Sequence, residues 1–409
     1  MRILIVTQYF WPENFRINDL AAGLVERGHE VTVLTGVPNY PGGRFFDGYG
    51  LFRRGREEFN GVRVHRVPLG PRGGAGGVRL GANYLSFALS ASVLAPLAAR
   101  GRFDVVFVYE PSPITVGIPA LVLKRIKRAP VLFWVQDLWP ESLSATGAVR
   151  SPRILRAVER LVRRIYRGSD LILVQSEAFA PSVARLAGGD ERIRYFPNTA
   201  EAFYRPVPRE AAAGLPPLPD GFRVMLAGNI GAAQDFGTVL AAAERLRDRP
   251  DVHWLVVGDG RMRQWVQEQV AARGLGGTVH LLGPHPPERM PGFFAHADVL
   301  LASLRRDPIF ASTIPSKVQS YMACARPIIA ALDGEGARVV EESGAGLACP
   351  ASDPDALADR VRTLAALPAA ERARMGERGR AYFLEHFERE MLLDRLNGWM
   401  EELVNGAAS

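Results

Sequence analysis

The sequence has few cysteines and lacks the short motifs of metal, dinucleotide and P-loop sites. Cys324 and Cys349 are too few for a disulfide scaffold or a cysteine-rich metal site, and their apolar surroundings predict two buried thiols in a reducing compartment. The seven histidines show no HExxH spacing. No GxGxxG follows the first predicted strand, and no GxxxxGK followed by Ser or Thr occurs. Both absences argue against a nicotinamide-dependent dehydrogenase and a P-loop ATPase.

Long apolar runs are also missing. The N-terminal run at 3–11 meets Pro12 and Glu13 without the small-residue cleavage site of a secretory signal, and we predict that it forms a first strand. The longest apolar segment, 84–99, has 16 residues, fewer than the roughly 20 that a spanning helix needs.

Charge is distributed unevenly along the chain. Residues 1–200 contain 27 Lys and Arg against 16 Asp and Glu, whereas residues 201–409 contain 23 against 27, which together give the net charge of +7. The basic half predicts an anionic partner, with nucleic acid and an anionic membrane surface as the candidates. A basic surface that is simply solvated is the alternative.

Strand and helix patterns alternate through both halves, as in α/β proteins with open, doubly wound parallel sheets. Five prolines predict a linker at 205–220. We expect an N-terminal domain at 1–204, a second domain at 221–387 and a last helix at 388–409.

Two further segments have distinctive compositions. Residues 37–60, rich in Gly, Pro and aromatic side chains, are expected to form one long loop. The predicted helix at 151–167 carries arginines at spacings of three and four, which places most of them on one face.

Two segments of the second half predict an anion site. Ser316 and Lys317 open a predicted helix within 315–330, where free backbone N–H groups, a hydroxyl and a cation lie together. Gly228 and Gly231 lie at a strand-to-helix turn whose backbone could approach a phosphate, although an ordinary turn would look the same.

Several segments together resemble the family-4 retaining glycosyltransferases of GT-B fold. The resemblance covers essentially the whole chain, and its first half is similar to the branch of WbuB-type L-fucosaminyl transferases of O-antigen and capsule assembly. The segments that carry it are QYFWPENFRINDLAAGLVERGHEVTVLTGVPNYP (8–41), VQDLWPESLSATG (135–147), GNIGAAQ (228–234), PSKVQSYMACARPIIA (315–330) and DGEGARVVEESGAG (333–346).

The resemblance implies two Rossmann-like domains facing across a cleft, with a nucleotide-sugar donor on the second and an acceptor on the first. It implies no metal and no cofactor, retention of anomeric configuration, and a last helix that crosses back to the first domain. The implied catalytic residues are Asp137 and Lys317. The implied acceptor-binding residues are Glu110, Trp139 and Glu141. The implied donor-binding residues are Arg16, Gly228, Asn229, Gly231, Gln234, Pro284, His285, Ser316, Lys317, Gln319 and Glu335.

The chain departs from the family pattern in three places. Many members carry two glutamates where this chain has Ala311 and Gln319, and an amide offers one acceptor oxygen to a ribose instead of two. Cations usual on the glycine loop are replaced by Asn229 and Gln234, which shifts the burden of positive charge to Lys317. The usual acceptor-side histidine is absent, and Asp137 is its nearest ionisable substitute, although a capping aspartate is the plain alternative.

We therefore expect transfer of N-acetyl-L-fucosamine or a related N-acetylated sugar from a UDP donor to a lipid-linked saccharide. We expect a cytoplasmic enzyme peripheral to the inner face of the cell membrane, with no nucleic-acid partner. Segment 84–99 would lie in an anionic membrane surface or, alternatively, pack on the sheet. A UDP-sugar 2-epimerase and a catalytically weak nucleotide-binding subunit are the alternative functions.

Overall fold

The apolar, β-branched stretches form strands of two separate sheets. The computed structural model describes residues 1–73, 77–145, 149, 151–212 and 214–406. One compact unit comprises Met1–Pro197 with the chain from Glu390 onward, and the other comprises Asn198–Arg389. The first boundary therefore lies before the predicted linker at 205–220, within which residues 209–211 form a short 3-10 turn.

The first unit is built on an eight-stranded sheet in the order β3-β4-β2-β1-β5-β6-β7-β8. All neighbours are parallel except β3, which pairs with β4 in antiparallel fashion. The expectation of one loop over 37–60 was therefore wrong at its end. Residues Arg56–Phe59 form a strand that pairs with the next one, with Phe59 opposite Val62. The strands are β1 (Arg2–Val6), β2 (Glu30–Gly36), β3 (Arg56–Phe59), β4 (Val62–Val67), β5 (Val105–Glu110), β6 (Val131–Val135), β7 (Leu171–Val174) and β8 (Ile193–Tyr195).

Helices connect these strands and cover the sheet. Pro152 at the first position of α5 suits a helix start, because its missing N–H has no partner there in any case. One short helix at Glu141–Ala145 was not predicted from the sequence. The helices are α1 (Arg16–Glu26), α2 (Gly77–Ala98), α3 (Gly117–Lys127), α4 (Glu141–Ala145), α5 (Pro152–Gly168) and α6 (Ala180–Ala187).

The second unit is built on a six-stranded parallel sheet in the order β11-β10-β9-β12-β13-β14. Its strands are β9 (Phe222–Ala227), β10 (Val252–Val257), β11 (Val279–Gly283), β12 (Val299–Ser303), β13 (Ile328–Ala331) and β14 (Gly346–Cys349). Its helices are α7 (Phe236–Glu244), α8 (Arg263–Ala272), α9 (Met290–Ala295), α10 (Pro308–Ala311), α11 (Ser316–Ala323), α12 (Glu335–Glu342), α13 (Pro354–Ala366) and α14 (Ala369–His386).

The last helix, α15 (Arg389–Gly406), packs into the first unit. Its apolar face is buried in the same core as Ile3 and Trp134. Arg27 of α1 binds the carboxylates of Asp394 at 2.9 Å and Glu390 at 2.7 Å, which fixes the start of α15. The buried residues of α15 are Leu392, Leu393, Leu396 and Met400.

In each sheet the strand order reverses once, and an open α/β sheet binds ligands beside such a reversal, at the carboxyl ends of its strands. The reversal lies between β1 and β5 in the first unit and between β9 and β12 in the second. Both pairs are parallel neighbours. The polar residues that follow these four strands are therefore the candidates for binding and chemistry.

One described helix, Arg79–Ala98 within α2, is long and apolar enough to cross a membrane by length and composition. It starts earlier than the apolar segment 84–99 seen in the sequence, because the first turns of α2 are also largely apolar. Only 28% of this stretch is buried inside the protein.

Candidate functional site

The turn after β9 is in backbone contact with the end of the neighbouring strand β10. Gly228 has φ +118°, and its N–H donates to Val257 O at 2.9 Å. Gly258 has φ +150°, and a Cβ there would collide with the carbonyl of Gly228. Both positions favour glycine, because an L side chain rarely adopts these backbone angles, and at Gly258 a side chain would also have no room. The predicted Gly228 turn is thus a tight backbone platform beside the sheet reversal.

The loop that follows is closed by its own side chains. Gln234 Oε1 accepts hydrogen bonds from Gly231 N at 3.1 Å and from Asn229 Nδ2 at 3.5 Å. The Gln234 amide, predicted to contact the donor, therefore shapes this loop in the unliganded protein. Asn229 is exposed, and Gly231 leaves no space for a Cβ between the two amides.

Helix α11 begins after Pro315 at the carboxyl end of β12, next to this loop in the sheet order. Ser316 is exposed at its first position and Lys317 follows. The Tyr321 hydroxyl of the same helix accepts a hydrogen bond from Ala227 N at 3.2 Å, which joins α11 to the end of β9.

Lys317 is a cation without a counter-ion among the residues that the structure describes. Burial lowers the pKa of its ammonium to about 8, and no carboxylate acts against that effect. The side chain stays partly accessible to solvent, so a ligand can reach it. The chain has 50 Lys and Arg, of which only Lys124, Lys127 and Lys317 are lysine. Lysine is a compact point charge whose pKa responds readily to burial, unlike that of arginine.

Gln319 does not lie where a ribose could reach it easily. It is fully buried. We assign its amide so that the nitrogen donates to Pro315 O at 3.2 Å and Ser316 O at 3.1 Å, the orientation that satisfies both groups. Its side chain is thus used within the first turn of α11. This placement argues against the expected ribose contact, because a fully buried amide with internal partners is costly to redirect.

The loop after β13 packs against the start of α11. Gly334 has φ +64° and lies against the backbone of Ala311, while Gly336 lies against Pro315. Glu335 opens α12 and forms an ion pair with Arg338 at 3.0 Å. Ala311 and the loop that carries Glu335 therefore lie close together in the fold. The Glu335 carboxylate, however, already has a cationic partner.

Pro284 and His285 follow β11, on the far side of β10 from the sheet reversal. Pro284 is exposed. The His285 ring lies 4.7 Å from the ring of Phe293 in a tilted arrangement, and its Nε2 lies 3.2 Å from Leu282 O. This ring is therefore held in place by the fold.

Arg305 is a cation of this region that the sequence reasoning missed. It comes two residues after β12, and its N–H donates to Ala233 O of the glycine loop at 2.8 Å. Its guanidinium is exposed, 3.5 Å from the Asp307 carboxylate and 5.6 Å from the centre of the Phe310 ring. The signal was present in the sequence as two arginines directly after a buried strand.

In the first unit, Glu110 ends β5 beside the sheet reversal and is fully buried. Burial and the nearby Asp137 carboxylate raise the pKa of Glu110 well above its usual range, against the opposite effect of the N–H groups of Asp137 and Gln136. Burial therefore disfavours the ionised form of Glu110. Full burial also makes the predicted direct contact with an acceptor less favourable than a positioning role.

Asp137 follows the neighbouring strand β6 and is partly exposed. Burial raises the pKa of this carboxyl to about 6, against hydrogen bonds from Ser142 and the Leu138 N–H; the Glu141 charge adds to the rise. At neutral pH Asp137 is mainly ionised. The structure thus brings together two of the predicted residues as neighbouring carboxyl groups whose pKa values are both raised by burial.

Trp139 and Glu141, the other predicted acceptor residues, follow Asp137 closely in the chain. Trp139 is buried, with its ring 6.4 Å from that of Tyr84 in an edge-on arrangement. Glu141 Oε1 accepts hydrogen bonds from Ser182 Oγ at 2.6 Å and Arg185 Nη2 at 3.1 Å. These bonds tie α4 to α6, so this oxygen of Glu141 already has structural partners.

Aromatic and cationic side chains extend this region towards β1, and the sequence did not reveal them. The Tyr9 hydroxyl, three residues beyond β1, accepts a hydrogen bond from Arg72 Nη1 at 3.2 Å. Arg72 also lies 5.1 Å from the centre of the Tyr40 ring. Hydrogen bonding couples Tyr9 to Tyr84, which touches Trp139. Aromatic surfaces of this kind suit the apolar faces of sugar rings.

Glu13 anchors the start of the long loop. Its Oε1 accepts hydrogen bonds from Asn39 N at 2.8 Å and Tyr40 N at 2.7 Å. Burial raises the pKa of this carboxyl to about 7. Arg16, predicted to bind the donor, begins α1 three residues later and belongs to the first unit, whereas every other predicted donor residue belongs to the second.

Across the described ranges, no group of three or more His, Cys, Asp or Glu side chains is arranged to hold a metal ion. Both thiols are buried and unpaired, and burial raises their pKa values.

The sequence matches two family models that together span most of the chain. Residues 14–199 match the Glycosyl transferase 4-like domain, and residues 221–366 match the Glycosyl transferases group 1 model.

Among curated relatives, the chain is 29% identical over 231 residues to the probable glycosyltransferase WbjE of Pseudomonas aeruginosa. This match covers 55% of this chain and 57% of WbjE, little more than half of each. A protein of Escherichia coli K12 named for colanic acid biosynthesis, the glycosyl transferase WcaI, is 25% identical over 342 residues, covering 79% of this chain and 81% of its own. Neither name is that of an L-fucosaminyl transferase, so that branch stays a prediction.

Among solved structures, HepE of Anabaena, in complex with UDP and glucose, aligns with a TM-score of 0.68 at 17% identity, covering 98% of this chain and 99% of HepE. At that identity the likeness concerns the fold alone. The chain has two Rossmann-like α/β units. The Glycosyl transferase 4-like domain model matches the first, and the Glycosyl transferases group 1 model matches the second. The chain therefore belongs to the glycosyltransferases of GT-B fold.

Proposed function

We propose that this protein transfers a sugar from a nucleotide-sugar donor to a lipid-linked saccharide in the assembly of a surface polysaccharide. The observation that carries the proposal is Lys317, a largely buried ammonium with no counter-ion among the described residues. An unpaired buried cation is costly to the fold, and an anionic ligand would offset that cost. Its place at the start of α11, beside the Gly228 turn, fits a diphosphate.

The donor side would act through fixed positive charge. When the bond between sugar and phosphate breaks, negative charge grows on the leaving diphosphate. Lys317, the first N–H groups of α11 and the backbone around Gly228 would stabilise this charge without reorganising. Arg305, which is joined to the loop through its N–H, adds a second cation. Such a set performs the task that a metal ion performs in other transferases.

The acceptor side would act through Asp137. With a pKa of about 6, its carboxyl is mainly ionised at neutral pH and can polarise an acceptor hydroxyl or stabilise positive charge that develops on the sugar. The fully buried Glu110 beside it would position Asp137 from within the fold. Transfer with retention, by attack on the face that the diphosphate leaves, is the stereochemical course that we propose.

The substrates that we propose are UDP-N-acetyl-L-fucosamine, or a related N-acetylated sugar nucleotide, and a lipid-linked saccharide. The UDP complex of HepE and the naming of WcaI for colanic acid biosynthesis support this class of donor and acceptor. The Tyr40 and Tyr84 rings, which are at least partly exposed, would supply the surfaces on which a saccharide stacks.

The test begins with binding of UDP-, GDP- and ADP-sugars, measured by thermal shift and calorimetry on the wild type, Lys317→Met and Lys317→Arg. We expect one nucleotide class to bind the wild type, with loss in Lys317→Met and retention in Lys317→Arg. Lys127→Met, in the other unit, is the matched control. Equal binding by wild type and Lys317→Met would contradict the phosphate role.

Transfer itself is then assayed with the donor so identified and lipid-linked acceptors. Formation of a glycosylated lipid, with the anomeric configuration of the donor, is the expected result. Conversion of the donor into its 2-epimer without an acceptor would instead identify an epimerase. Tight nucleotide binding with no turnover on any acceptor would identify a binding subunit.

A further inference from the structure

Helix α2 exposes a row of large apolar side chains. The row recurs at every fourth residue and extends about 18 Å along the helix, at 1.5 Å per residue. The opposite side of α2 is in the core, where Phe87, Ala91 and Ala95 are fully buried. We call these four residues the leucine row, and their exposed fractions are 61% for Leu85, 69% for Leu89, 63% for Val93 and 62% for Leu97.

Helix α5 exposes a row of arginines. At spacings of three and four, the row lies on one face of the helix and extends about 21 Å. Only Glu159 opposes it on this helix, and that carboxylate pairs with Arg163 at 2.7 Å. A groove of about 410 Å³ runs along this face. The exposed arginines, none with an ion pair among the described residues, are Arg153, Arg156, Arg160, Arg164 and Arg167.

The two rows lie on the same side of the first unit. Helix α3 packs against both α2 and α5, so the three helices form one layer. Ile126 of α3 and Ile154 of α5 are also more than half exposed, at 51% and 52%. Arg125 and Arg128 near the end of α3 are exposed between the rows. We call this surface, defined by the two rows with Ile126 and Ile154, the basic–apolar face.

We propose that the basic–apolar face docks the protein onto an anionic lipid bilayer. The leucine row of α2 would enter the boundary between headgroups and acyl chains, and the arginines of α5 would meet anionic headgroups. A folded protein normally covers large apolar side chains or scatters them singly. Four large apolar side chains in one row, beside five arginines without ion pairs among the described residues, match the surface of an anionic bilayer. The apolar row matches its acyl chains, and the arginines match its anionic headgroups.

The packing of α2 decides between lying on the bilayer and crossing it. Length and composition would allow α2 to span. However, Phe87, Ala91 and Ala95 are buried against the rest of the unit. If α2 crossed the membrane, these three side chains would have to leave the core. The geometry therefore favours a helix that lies in the plane of the surface. Of the two alternatives from the sequence, packing on the sheet is observed for one side of α2, and contact with lipid is what we propose for the opposite side.

The experiment is co-flotation of the full chain with phosphatidylcholine vesicles, with and without phosphatidylglycerol, at low and high salt. We expect binding only when the anionic lipid is present, weakened by salt. Arg156→Gln with Arg160→Gln should lower the affinity about fivefold per arginine. Leu89→Ser should lower it about tenfold. The matched controls are Arg374→Gln with Arg395→Gln and Leu384→Ser, which change exposed residues elsewhere.

Binding that ignores lipid charge and salt, or that falls equally in the control variants, would overturn the proposal. A dimer in sedimentation that Leu89→Ser dissociates would assign the leucine row to a second copy of the chain instead. Binding of duplex DNA that depends on Arg156 and Arg160 but not on Leu89, without vesicle binding, would assign the arginines to nucleic acid. Thermal melting of each variant verifies that the fold is retained. Flotation needs no substrate, so its outcome is independent of the proposed transfer reaction.

Discussion

The pKa of Lys317 makes donor binding depend on pH in a calculable way. Burial lowers this pKa to about 8 in the unliganded protein, so the ammonium is about 90% ionised at pH 7 and about 10% ionised at pH 9. A nucleotide-sugar diphosphate keeps its charge throughout that range. If the diphosphate binds the ionised lysine, the dissociation constant should rise about tenfold between pH 7 and pH 9.

The assay is calorimetric titration of the nucleotide-sugar across this range with wild type, Lys317→Arg and Lys317→Met. Arginine stays charged, so Lys317→Arg should bind with little change in affinity. Lys317→Met should bind about 10- to 100-fold more weakly at pH 7, because a charged hydrogen bond is lost, and it should show little pH dependence. A tenfold fall that also occurs in Lys317→Arg would locate the titration in another group. Constant affinity in the wild type would refute the phosphate contact.

The Lys317 charge is expected to favour donor binding, but its burial lowers the stability of the folded protein. The folded pKa of Lys317 lies below its ordinary value of 10.5, so the folded state binds fewer protons between pH 8 and 10.5. The penalty for burying the charge is fully present below pH 8 and is relieved as pH rises towards 10.5. Lys317→Met should therefore stabilise the unliganded protein at pH 7, by at most about 3 kcal/mol, and the gain should vanish near pH 10.5. Chemical denaturation at both pH values measures this.

Three further predictions concern single positions. Asp137→Asn should lower kcat/KM about 100-fold and abolish the rise of the wild-type pH profile near pH 6. Glu110→Gln should leave that rise in place, because the rise comes from Asp137. Since the folded pKa of Glu110 is raised, its contribution to stability falls as pH increases above 4.5, so the variant should gain stability over wild type as pH rises above 4.5 in thermal melts. Gly258→Ala should cost about 3 kcal/mol in urea denaturation, whereas Gly277→Ala, where a Cβ meets nothing, should be nearly neutral.

The sequence was sufficient for the architecture because the signal is local. Buried runs such as Val131–Val135 are almost entirely apolar, and the glycines at 228 and 258 mark turns that other residues cannot make. Strand Arg56–Phe59 escaped prediction because it is an edge strand of charged residues, and its pairing depends on β4. The short helix α4 was not predicted, because its flanking Pro140 and small residues are equally typical of a loop.

The site was predicted less completely because its chemistry depends on contacts across the sheet. Lys317 was identified from its helix start, but the absence of a carboxylate near it required the fold. Gln319 was assigned by position in a motif, and only the structure shows that its amide is turned inward. Glu110 and Asp137 are distant in sequence, and the effect of the Asp137 charge on the pKa of Glu110 arises because strands β5 and β6 are adjacent. Exposure of the leucine row on α2 likewise depends on where α3 packs.

The composition of the first unit has a consequence for how the protein is made. This unit combines Met1–Pro197 with the chain from Glu390 onward, so the ribosome must synthesise the whole of Asn198–Arg389 before α15 is available. Until then the core around Ile3 and Trp134 lacks the four apolar side chains of α15 and exposes the surface they later cover. The second unit is contiguous and can complete its own fold first. During synthesis the core of the first unit therefore stays incomplete until its last helix, α15, leaves the ribosome.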